Sequence, residues 1–188
     1  RRHALLATLQ GCDRAAHLIE QLLTLSRLEA GSAPAWVLLD LSALVRAVVA
    51  DIAPQALHKQ QTIELDAADG CQVQGDAALL AVLVRNLVDN AVRYGPAKAI
   101  VKVVVARQPT GVLLKVEDSG PGMTEAELQR LGERFFRVLG SGEGGSGLGW
   151  SIVKRVAVAH QAKVRVMRSA ALGGLCVEVR WPVGLAEA

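Results

Sequence analysis

The stretch from residue 76 to residue 94, DAALLAVLVRNLVDNAVRY, constrains the fold more than any other part of this chain. Gly75 precedes it, Asp76 is a favourable N-cap residue, and a Gly-Pro pair follows it, which predicts one uninterrupted helix. Its apolar residues recur at helical spacing and predict a buried stripe, formed by Leu79, Leu80, Leu83, Leu87 and Ala91. The sequence therefore predicts an amphipathic helix packed on a core, here named the Asn helix.

A polar stripe lies beside the apolar one on the Asn helix. Asn86, Asn90 and Arg93 follow one another at spacings of four and three, which places them on one face. Amide oxygens suit Mg²⁺, which takes few protein oxygens and completes its shell with phosphate oxygens and water. Arg93 is suited to a phosphate, and Tyr94 offers an aromatic face to a base. The alternative is that both amides are ordinary hydrogen-bonded groups on a helix surface.

A first glycine-rich stretch, DSGPGM at residues 118–123, follows a predicted strand. Asp118 at a strand end is suited to accept a hydrogen bond from an exocyclic amine. Gly120 and Gly122 let the backbone pass close to a flat ring. Taken alone, the same pattern is also typical of a plain turn.

A second glycine-rich stretch, GGSGLGWSIV at residues 144–153, opens a predicted helix. Free backbone N–H groups and the positive end of the helix dipole favour an anion there. The stretch lacks the Gly-Lys-Ser/Thr of a Walker loop, and no strand immediately precedes it as in a dinucleotide fingerprint. Alone it is equally typical of a flexible linker. Together, the three separated segments predict a nucleotide site.

Composition excludes several classes of protein. The 188 residues carry a net charge of +3 without a long basic cluster, so we expect no nucleic-acid partner. Cys12, Cys71 and Cys176 are far apart and predict reduced thiols. No apolar run is long enough to span a membrane, and the chain begins RRHALL without a leader pattern, so we expect a soluble fragment of a longer protein.

The remaining pattern predicts an α+β fold: a two-layer α/β sandwich with a mixed, mainly antiparallel sheet, preceded by a long bundle-type helix. The predicted strands are 36–41, 62–67, 71–75, 99–107, 112–117, 163–168 and 175–181. The other predicted helices begin at Ser42, at Thr124 with Glu127 at the capping-box spacing, and at Leu148, and a flexible loop is expected at 140–147.

The first thirty residues form a separate unit in the sequence. Residues 4–30 predict one helix with an apolar face wide enough for a multi-helix bundle. Its bundle partners are not obvious in this chain, so we expect them to be missing or to come from a second copy. The alternative is that the helix packs on the following domain.

Four motifs occur in a specific order: NLVDNAVRY, DSGPGM, ERFFR at 133–137 and GGSGLGWSIV. This order resembles the ATP-binding domain shared by sensor histidine kinases, gyrase, MutL and a heat-shock chaperone family, the Bergerat fold. ERFFR, and LIEQLLTLSRLEAG at 18–31, are similar to two-component sensor histidine kinases, including quorum-sensing sensors of Gram-negative bacteria. The resemblance implies a remnant of the dimerisation and phosphotransfer bundle at 1–31 and a catalytic ATP-binding domain at 35–185.

The resemblance also implies roles for the polar residues of the Asn helix. Asn90 is expected to hold Mg²⁺, with Asn86 beside it near the phosphates. Arg93 is expected to reach the phosphates, and Tyr94 to line the nucleotide pocket.

The same resemblance assigns the glycine-rich segments. Asp118 is expected to accept the adenine amino group, with Gly120 and Gly122 shaping that wall. The residues expected to anchor a mobile lid at 140–146 are Phe135, Phe136 and Arg137. Those expected to meet ATP at the helix start are Gly145, Ser146, Gly147, Leu148 and Gly149.

Two departures from the family pattern stand out. Trp150 occupies a position where the family usually has Leu. No histidine is followed by the acidic residue and Leu-Arg-Ser/Thr-Pro of the phosphoacceptor segment, so His3, His17, His58 and His160 are interpreted as surface or packing residues. We therefore expect no catalytic histidine in this chain and no autophosphorylation by it alone.

The function implied is transfer of the ATP γ-phosphate to a bundle histidine and onward to an aspartate of a response-regulator receiver domain. The resemblance further implies homodimers formed through the bundle, and a cytoplasmic domain of a membrane-anchored bacterial protein. One alternative is a nucleotide-binding scaffold or sensing module without kinase activity. Another is an ATP hydrolase of the gyrase or MutL type, although those enzymes carry a general-base Glu where this chain has Asn86.

Overall fold

The computed structural model describes residues 36–131 and 147–183, together with Ile19, Leu23 and Ser26. The helices in this part are α1 (Leu41–His58), α2 (Ala77–Tyr94), α3 (Glu125–Arg130) and α4 (Gly149–Ala159). The strands are β1 (Val37–Asp40), β2 (Thr62–Ala67), β3 (Gln72–Gly75), β4 (Ile100–Gln108), β5 (Gly111–Asp118), β6 (Lys163–Arg168) and β7 (Leu175–Pro182). Helix α2 is the predicted Asn helix.

The main sheet has five strands in the order β2-β4-β5-β7-β6. Strand β2 pairs with β4 in parallel, and the other three pairings are antiparallel. A small second sheet joins β1 to β3. The prediction of an α+β fold with a mixed, mainly antiparallel sheet is therefore confirmed.

The core lies between one face of the main sheet and helices α1, α2 and α4. Alternate residues of the central strands face the helices and are buried, such as Val101 and Val103 on β4 and Leu114 on β5. Their neighbours Lys102 and Lys115 belong to the opposite face. This period of two makes the domain a two-layer sandwich with helices on one side.

The caps of the Asn helix follow the sequence prediction. Asp76 accepts hydrogen bonds from the backbone N–H groups of Ala78 and Leu79, at 2.9 and 3.1 Å, and Gly95 is the C-cap. The predicted capping box of Thr124 and Glu127 on α3 is also present. Each of these signals depends on residues within one helical turn of each other.

The predicted N-cap of α1 is wrong by two residues. Asp40, not Ser42, accepts from the N–H groups of Ser42 and Ala43. The Ser42 hydroxyl instead donates to the carbonyl of Ala68, across the space between α1 and the chain after β2. A long-range acceptor therefore determines which of two capable residues caps the helix, and β1 ends at Asp40 rather than at residue 41.

Of the predicted N-terminal helix, only Ile19, Leu23 and Ser26 are described. All three are helical and exposed, Ile19 by 57% and Leu23 by 54%. The rest of that helix lies outside the described residues, and the domain limits 1–31 and 35–185 stay predictions. Within the described part, no helix has the length and apolar character needed to cross a membrane.

Candidate nucleotide-binding site

Asp118 is the last residue of β5. The sequence predicted a strand that ends one residue earlier, at Glu117. Its Oδ1 accepts hydrogen bonds from the backbone N–H groups of Gly120, at 2.8 Å, and Leu175, at 3.3 Å. Within residues 36–131 and 147–183, no donor contacts Oδ2, so this oxygen is available to an external amine. Burial raises the pKa of Asp118, although the two backbone hydrogen bonds oppose that rise.

The turn between β6 and β7 packs directly against Asp118. The N–H of Gly174 donates to the Asp118 carbonyl at 3.1 Å. A Cβ at Gly174 would lie 2.2 Å from Asp118 Oδ1 and 2.3 Å from its carbonyl oxygen, so a side chain does not fit. Gly174 was not predicted from the sequence as a site residue. The Gly-Gly pair at 173–174 is a turn signal in the sequence, but nothing local indicates its contact with Asp118.

The DSGPGM segment reaches the C-terminal end of the Asn helix. A Cβ at Gly120 would lie 3.7 Å from both the Gly95 Cα and the Tyr94 carbonyl oxygen. Gly122 adopts φ +72°, a conformation that favours glycine. Tyr94, 38% exposed, is the last residue of α2, so the structure brings it beside the Asp118 loop, as expected for two parts of one pocket.

Lys59 and Gln61 hold the C-terminal end of the Asn helix, and neither was predicted from the sequence. The Lys59 Nζ donates to the carbonyls of Val92, Arg93 and Gly95, at 3.2, 2.6 and 3.3 Å. The buried Gln61 Nε2 donates at 3.0 Å to Val92, at 2.9 Å to Gly95 and at 2.9 Å to the Pro96 carbonyl. A cation and an amide thus satisfy carbonyls that a helix C-terminus leaves open.

A buried carboxylate lies next to Asp118 on the outer face of the sheet. Glu117 contacts the Lys115 ammonium at 2.7 Å, and the Ser169 hydroxyl donates to it at 3.0 Å. Burial alone would raise the pKa of Glu117, but these two hydrogen bonds, the charge of Lys115 and a hydrogen bond with Cys176 together lower that pKa. Across the strand pair, burial raises the pKa of the Cys176 thiol to about 11, so this cysteine is a neutral packing group at neutral pH.

The other end of the site lies where the Asn helix meets the start of α4. Asn86 is buried, not on an open surface stripe, and its Nδ2 donates to the Val82 carbonyl at 2.8 Å. A Cβ at Gly149 would lie 2.7 Å from Asn86 Oδ1 and 3.8 Å from Asn90 Nδ2. Both amides therefore meet the first residue of α4, and only glycine permits so close an approach.

Arg93 pairs with Asp89 one helical turn earlier, at 2.9 Å, and both side chains are largely buried. The predicted buried stripe of the Asn helix is also wider than expected. Val84, Val88 and Val92 are fully buried, whereas Leu79 is only half-buried. The helix is thus covered on two sides, by α1 and by α4.

The start of α4 carries no side-chain cap hydrogen bond within the described residues. Gly147 adopts φ +71°, and Leu148, whose apolar side chain has no capping atom, is the N-cap. Trp150, the unusual residue, is half-buried and packs against the core. Five predicted site residues lie outside the described residues: Phe135, Phe136, Arg137, Gly145 and Ser146.

His160, at the other end of α4, is a packing residue, as the sequence predicted. It is buried, with Nδ1 2.7 Å from the Val156 carbonyl and Nε2 accepting from the Asp76 N–H at 3.0 Å. Cys71 and Cys176 are buried free thiols, which confirms two of the three predicted thiols.

Comparison with known proteins identifies the family. Residues 75–185, more than half of the chain, match the family described as histidine kinase-, DNA gyrase B- and HSP90-like ATPases. The sensor protein QseC of Escherichia coli strain K12 is 40% identical over 187 residues, which cover 96% of this chain and 40% of QseC. The chain thus spans about two fifths of the length of that relative.

Solved structures agree with this assignment. The cytoplasmic segment of histidine kinase QseC is 31% identical, with a TM-score of 0.64 over 92% of this chain and 95% of that segment. Full-length ShkA in complex with AMPPNP is 25% identical, with a TM-score of 0.79 over 100% of this chain and 40% of ShkA. The motifs, the sheet topology and these relatives agree: the chain belongs to the histidine kinase-, DNA gyrase B- and HSP90-like ATPase family, as an ATP-binding catalytic domain of the sensor histidine kinase type.

Proposed function

We propose that this domain binds Mg–ATP and presents the γ-phosphate to a histidine on a helical bundle of the intact protein. The observation that carries the proposal is the pairing of two features on the Asn helix. Its C-terminal end adjoins Gly120 in the loop that follows Asp118, whose Oδ2 is available, and its Asn86 meets the glycine that opens α4. These features suit the two ends of one nucleotide.

The adenine end rests on Asp118. Its free Oδ2 accepts the exocyclic amino group of adenine, while Gly120 and Gly174 keep side chains away from the ring. Tyr94 lies at the edge of this pocket. Recognition by a fixed carboxylate favours adenine over guanine, because guanine presents a carbonyl oxygen at the corresponding position.

The phosphate end rests on the start of α4 and on the Asn helix. Helix α4 has 11 residues. The N–H groups of its first turn and the positive end of its dipole favour an anion at this end. The Asn86 and Asn90 side chains lie beside Gly149, and neutral amide oxygens fit Mg²⁺ accompanied by phosphate oxygens. Asn90 would hold the ion with Asn86 next to it, and bound Mg²⁺ would neutralise phosphate charge. Arg93, which pairs with Asp89, would supply a cation to the phosphates from the turn after Asn90.

Phosphoryl transfer needs mainly positioning and charge neutralisation. An imidazole nitrogen of the acceptor attacks the γ-phosphorus, the bond to the β–γ bridging oxygen breaks, and ADP leaves. His160 is unsuited as the acceptor because it is buried and both ring nitrogens face backbone groups. The acceptor therefore comes from a bundle. The phosphate then passes to an aspartate of a response regulator, in a homodimeric, membrane-anchored protein whose kinase domain is cytoplasmic.

Transfer in trans tests the proposal. The chain is mixed with Mg–ATP and a helical bundle that carries the acceptor histidine of a sensor kinase relative, and acid-labile phosphohistidine is measured. We expect label on the bundle, none on this chain alone, and none with Asn90→Ala. Bound ATP without any transfer to the bundle would favour a nucleotide-binding scaffold. Label on the isolated chain would contradict the absence of an acceptor here.

A further inference from the structure

Two contacts fix α4 against the Asn helix, one at each end. At the nucleotide end, Gly149 adjoins Asn86 and Asn90. At the opposite end, the His160 ring accepts a hydrogen bond at 3.0 Å from the backbone N–H of Asp76, the N-cap of the Asn helix. The two helices therefore run antiparallel, and His160 contacts the backbone rather than a side chain that could rotate away.

The partners of His160 define its tautomer. Nδ1 lies 2.7 Å from the Val156 carbonyl, which only a protonated nitrogen can approach as a donor. Nε2 then carries no proton and accepts from Asp76. The ring also lies 5.4 Å, between centroids, from the ring of Trp36, and a Cβ at Gly75 would lie 2.6 Å from its Cδ2. The ring is thus held on several sides in one orientation.

The distances along the two helices match. Asn86 lies ten positions after Asp76, which is about 15 Å at the rise of an α-helix. His160 lies eleven positions after Gly149, which is about 16 Å. One axial position of the Asn helix therefore satisfies both the His160 hydrogen bond and the Gly149 approach. A slide along the axis that breaks one contact displaces the other.

We propose that His160 is a positioning residue for the phosphate end of the site. By accepting from Asp76, it fixes the axial position of the Asn helix on α4 and thereby places Asn86 and Asn90 against the phosphate-binding start of α4. This inference rests on the proposed nucleotide function. It concerns the phosphates only, because neither part of the adenine end is held by α4. Asp118 is held by the sheet and by the β6–β7 turn, and the adjoining end of the Asn helix is held by Lys59 and Gln61.

The test compares adenosine, which probes the Asp118 end, with Mg–ATP, which probes both ends. His160→Phe keeps a ring but removes the Nε2 acceptor, and His160→Gln restores an acceptor. We expect His160→Phe to weaken Mg–ATP binding about fivefold, the effect of one hydrogen bond, with adenosine affinity unchanged. His160→Gln should recover much of the loss. Val105→Ala, a core variant with none of these hydrogen bonds, controls for lower stability.

Each outcome is decisive. Equal losses for adenosine and Mg–ATP, or no loss for either, would overturn the positioning role. If His160→Phe does not fold, Gly75→Ala serves instead, because its Cβ displaces the ring, and the same selective loss is expected. A selective loss in Val105→Ala would equally overturn the inference. Failure of the unaltered chain to bind either ligand would instead refute the proposed function.

Discussion

The two ends of the nucleotide site are built in different ways. At the adenine end, Asp118 belongs to a strand, and backbone groups of Gly120, Gly174 and Leu175 all hydrogen-bond to it. At the phosphate end, side-chain amides of one helix meet the first residue of another. The first end is fixed by backbone hydrogen bonds, the second by helix packing.

This difference separates recognition from positioning. A carboxylate held by backbone N–H groups cannot move without disrupting the end of the central strand, so it can read a base by its hydrogen-bonding pattern. Amides carried on packed helices shift when the helices shift. We therefore expect variants near Asp118 to affect every adenine ligand, and variants at the helix contact to affect only ligands with phosphates.

Among the glycine substitutions, the largest expected effect is that of Gly174→Ala. The new Cβ would lie 2.2 Å from Asp118 Oδ1, so the carboxylate or the turn must move. Overpacking of this kind costs about 1–3 kcal/mol, which should weaken both adenosine and ATP roughly 5- to 150-fold in calorimetry. Gly173→Ala is the matched control, since it strains a φ of +84° in open space. Equal effects of the two variants would mean that the contact with Asp118 is unimportant.

Gly149→Ala is the counterpart at the phosphate end. Its Cβ would lie 2.7 Å from Asn86 Oδ1 and would push the amide away from α4. We expect ATP affinity to fall about tenfold while adenosine affinity stays constant, because overpacking here leaves Asp118 untouched. Titrations of both ligands check this. A parallel loss of adenosine binding would remove the distinction between the two ends.

Lys59→Met tests the support of the adenine end from the helix side. The variant removes donors to the carbonyls of Val92, Arg93 and Gly95, and we expect the free energy of unfolding to fall by about 1–2 kcal/mol. Adenosine affinity should fall a few-fold, because Gly95 adjoins the Asp118 loop. Denaturant unfolding and calorimetry measure the two effects.

The control for Lys59→Met is Arg85→Met, which removes a cation from the Asn helix itself. Arg85 pairs with Asp51 at 2.7 Å, but both side chains are well exposed, so its loss should cost at most about 1 kcal/mol and leave adenosine binding intact. If both variants reduce adenosine affinity to the same extent, Lys59 has no special role at the helix end.

Acidification should separate binding from stability. Burial raises the pKa of Asp118, so its carboxylate takes up a proton, and adenine affinity falls, at a higher pH than for an ordinary aspartate. Because that pKa is higher in the folded chain than in the unfolded chain, this protonation favours folding. Asp118→Asn should bind adenosine weakly, with an affinity that does not depend on pH in this range. If its adenosine affinity falls on acidification as in the unaltered chain, Asp118 is not the group that titrates.

Glu117 should behave in the opposite way. Its pKa is lowered overall, since the hydrogen bonds and charge of its neighbours, led by Lys115 and Ser169, together outweigh the effect of burial. Its stabilising contribution is therefore present above the ordinary glutamate pKa and is lost only as the pH falls through its lower folded-state pKa. On acidification, ligand binding should decline before melting curves reveal the loss of the Glu117 contribution.

Local sequence signals predicted the elements well. The caps of the Asn helix and the Thr124 capping box depend on residues within one turn, and alternation predicted the sheet. The order of the motifs predicted the family. The three segments around Asp118, Asn86 and Gly149 are also brought together, although their individual roles toward ATP stay predictions.

Long-range contacts were not predictable in this way. Gly174 meets Asp118 across 56 positions of sequence, and Lys59 meets the Arg93 carbonyl across 34. Nothing in the residues beside either one indicates the partner. The burial of Asn86 was missed for the same reason, since the helical period places it on a polar stripe and only the packing of α4 covers it.

Calorimetry of Mg–ATP on this chain and on Asp118→Ala tests the central claim most directly. We expect Mg²⁺-dependent binding by the unaltered chain, weakened roughly 10- to 150-fold in the variant, the effect of a hydrogen bond to a charged group. Circular dichroism of both proteins shows whether the fold is kept. No binding by the unaltered chain, or equal affinity in a folded variant, would contradict the assignment of Asp118 as the adenine acceptor.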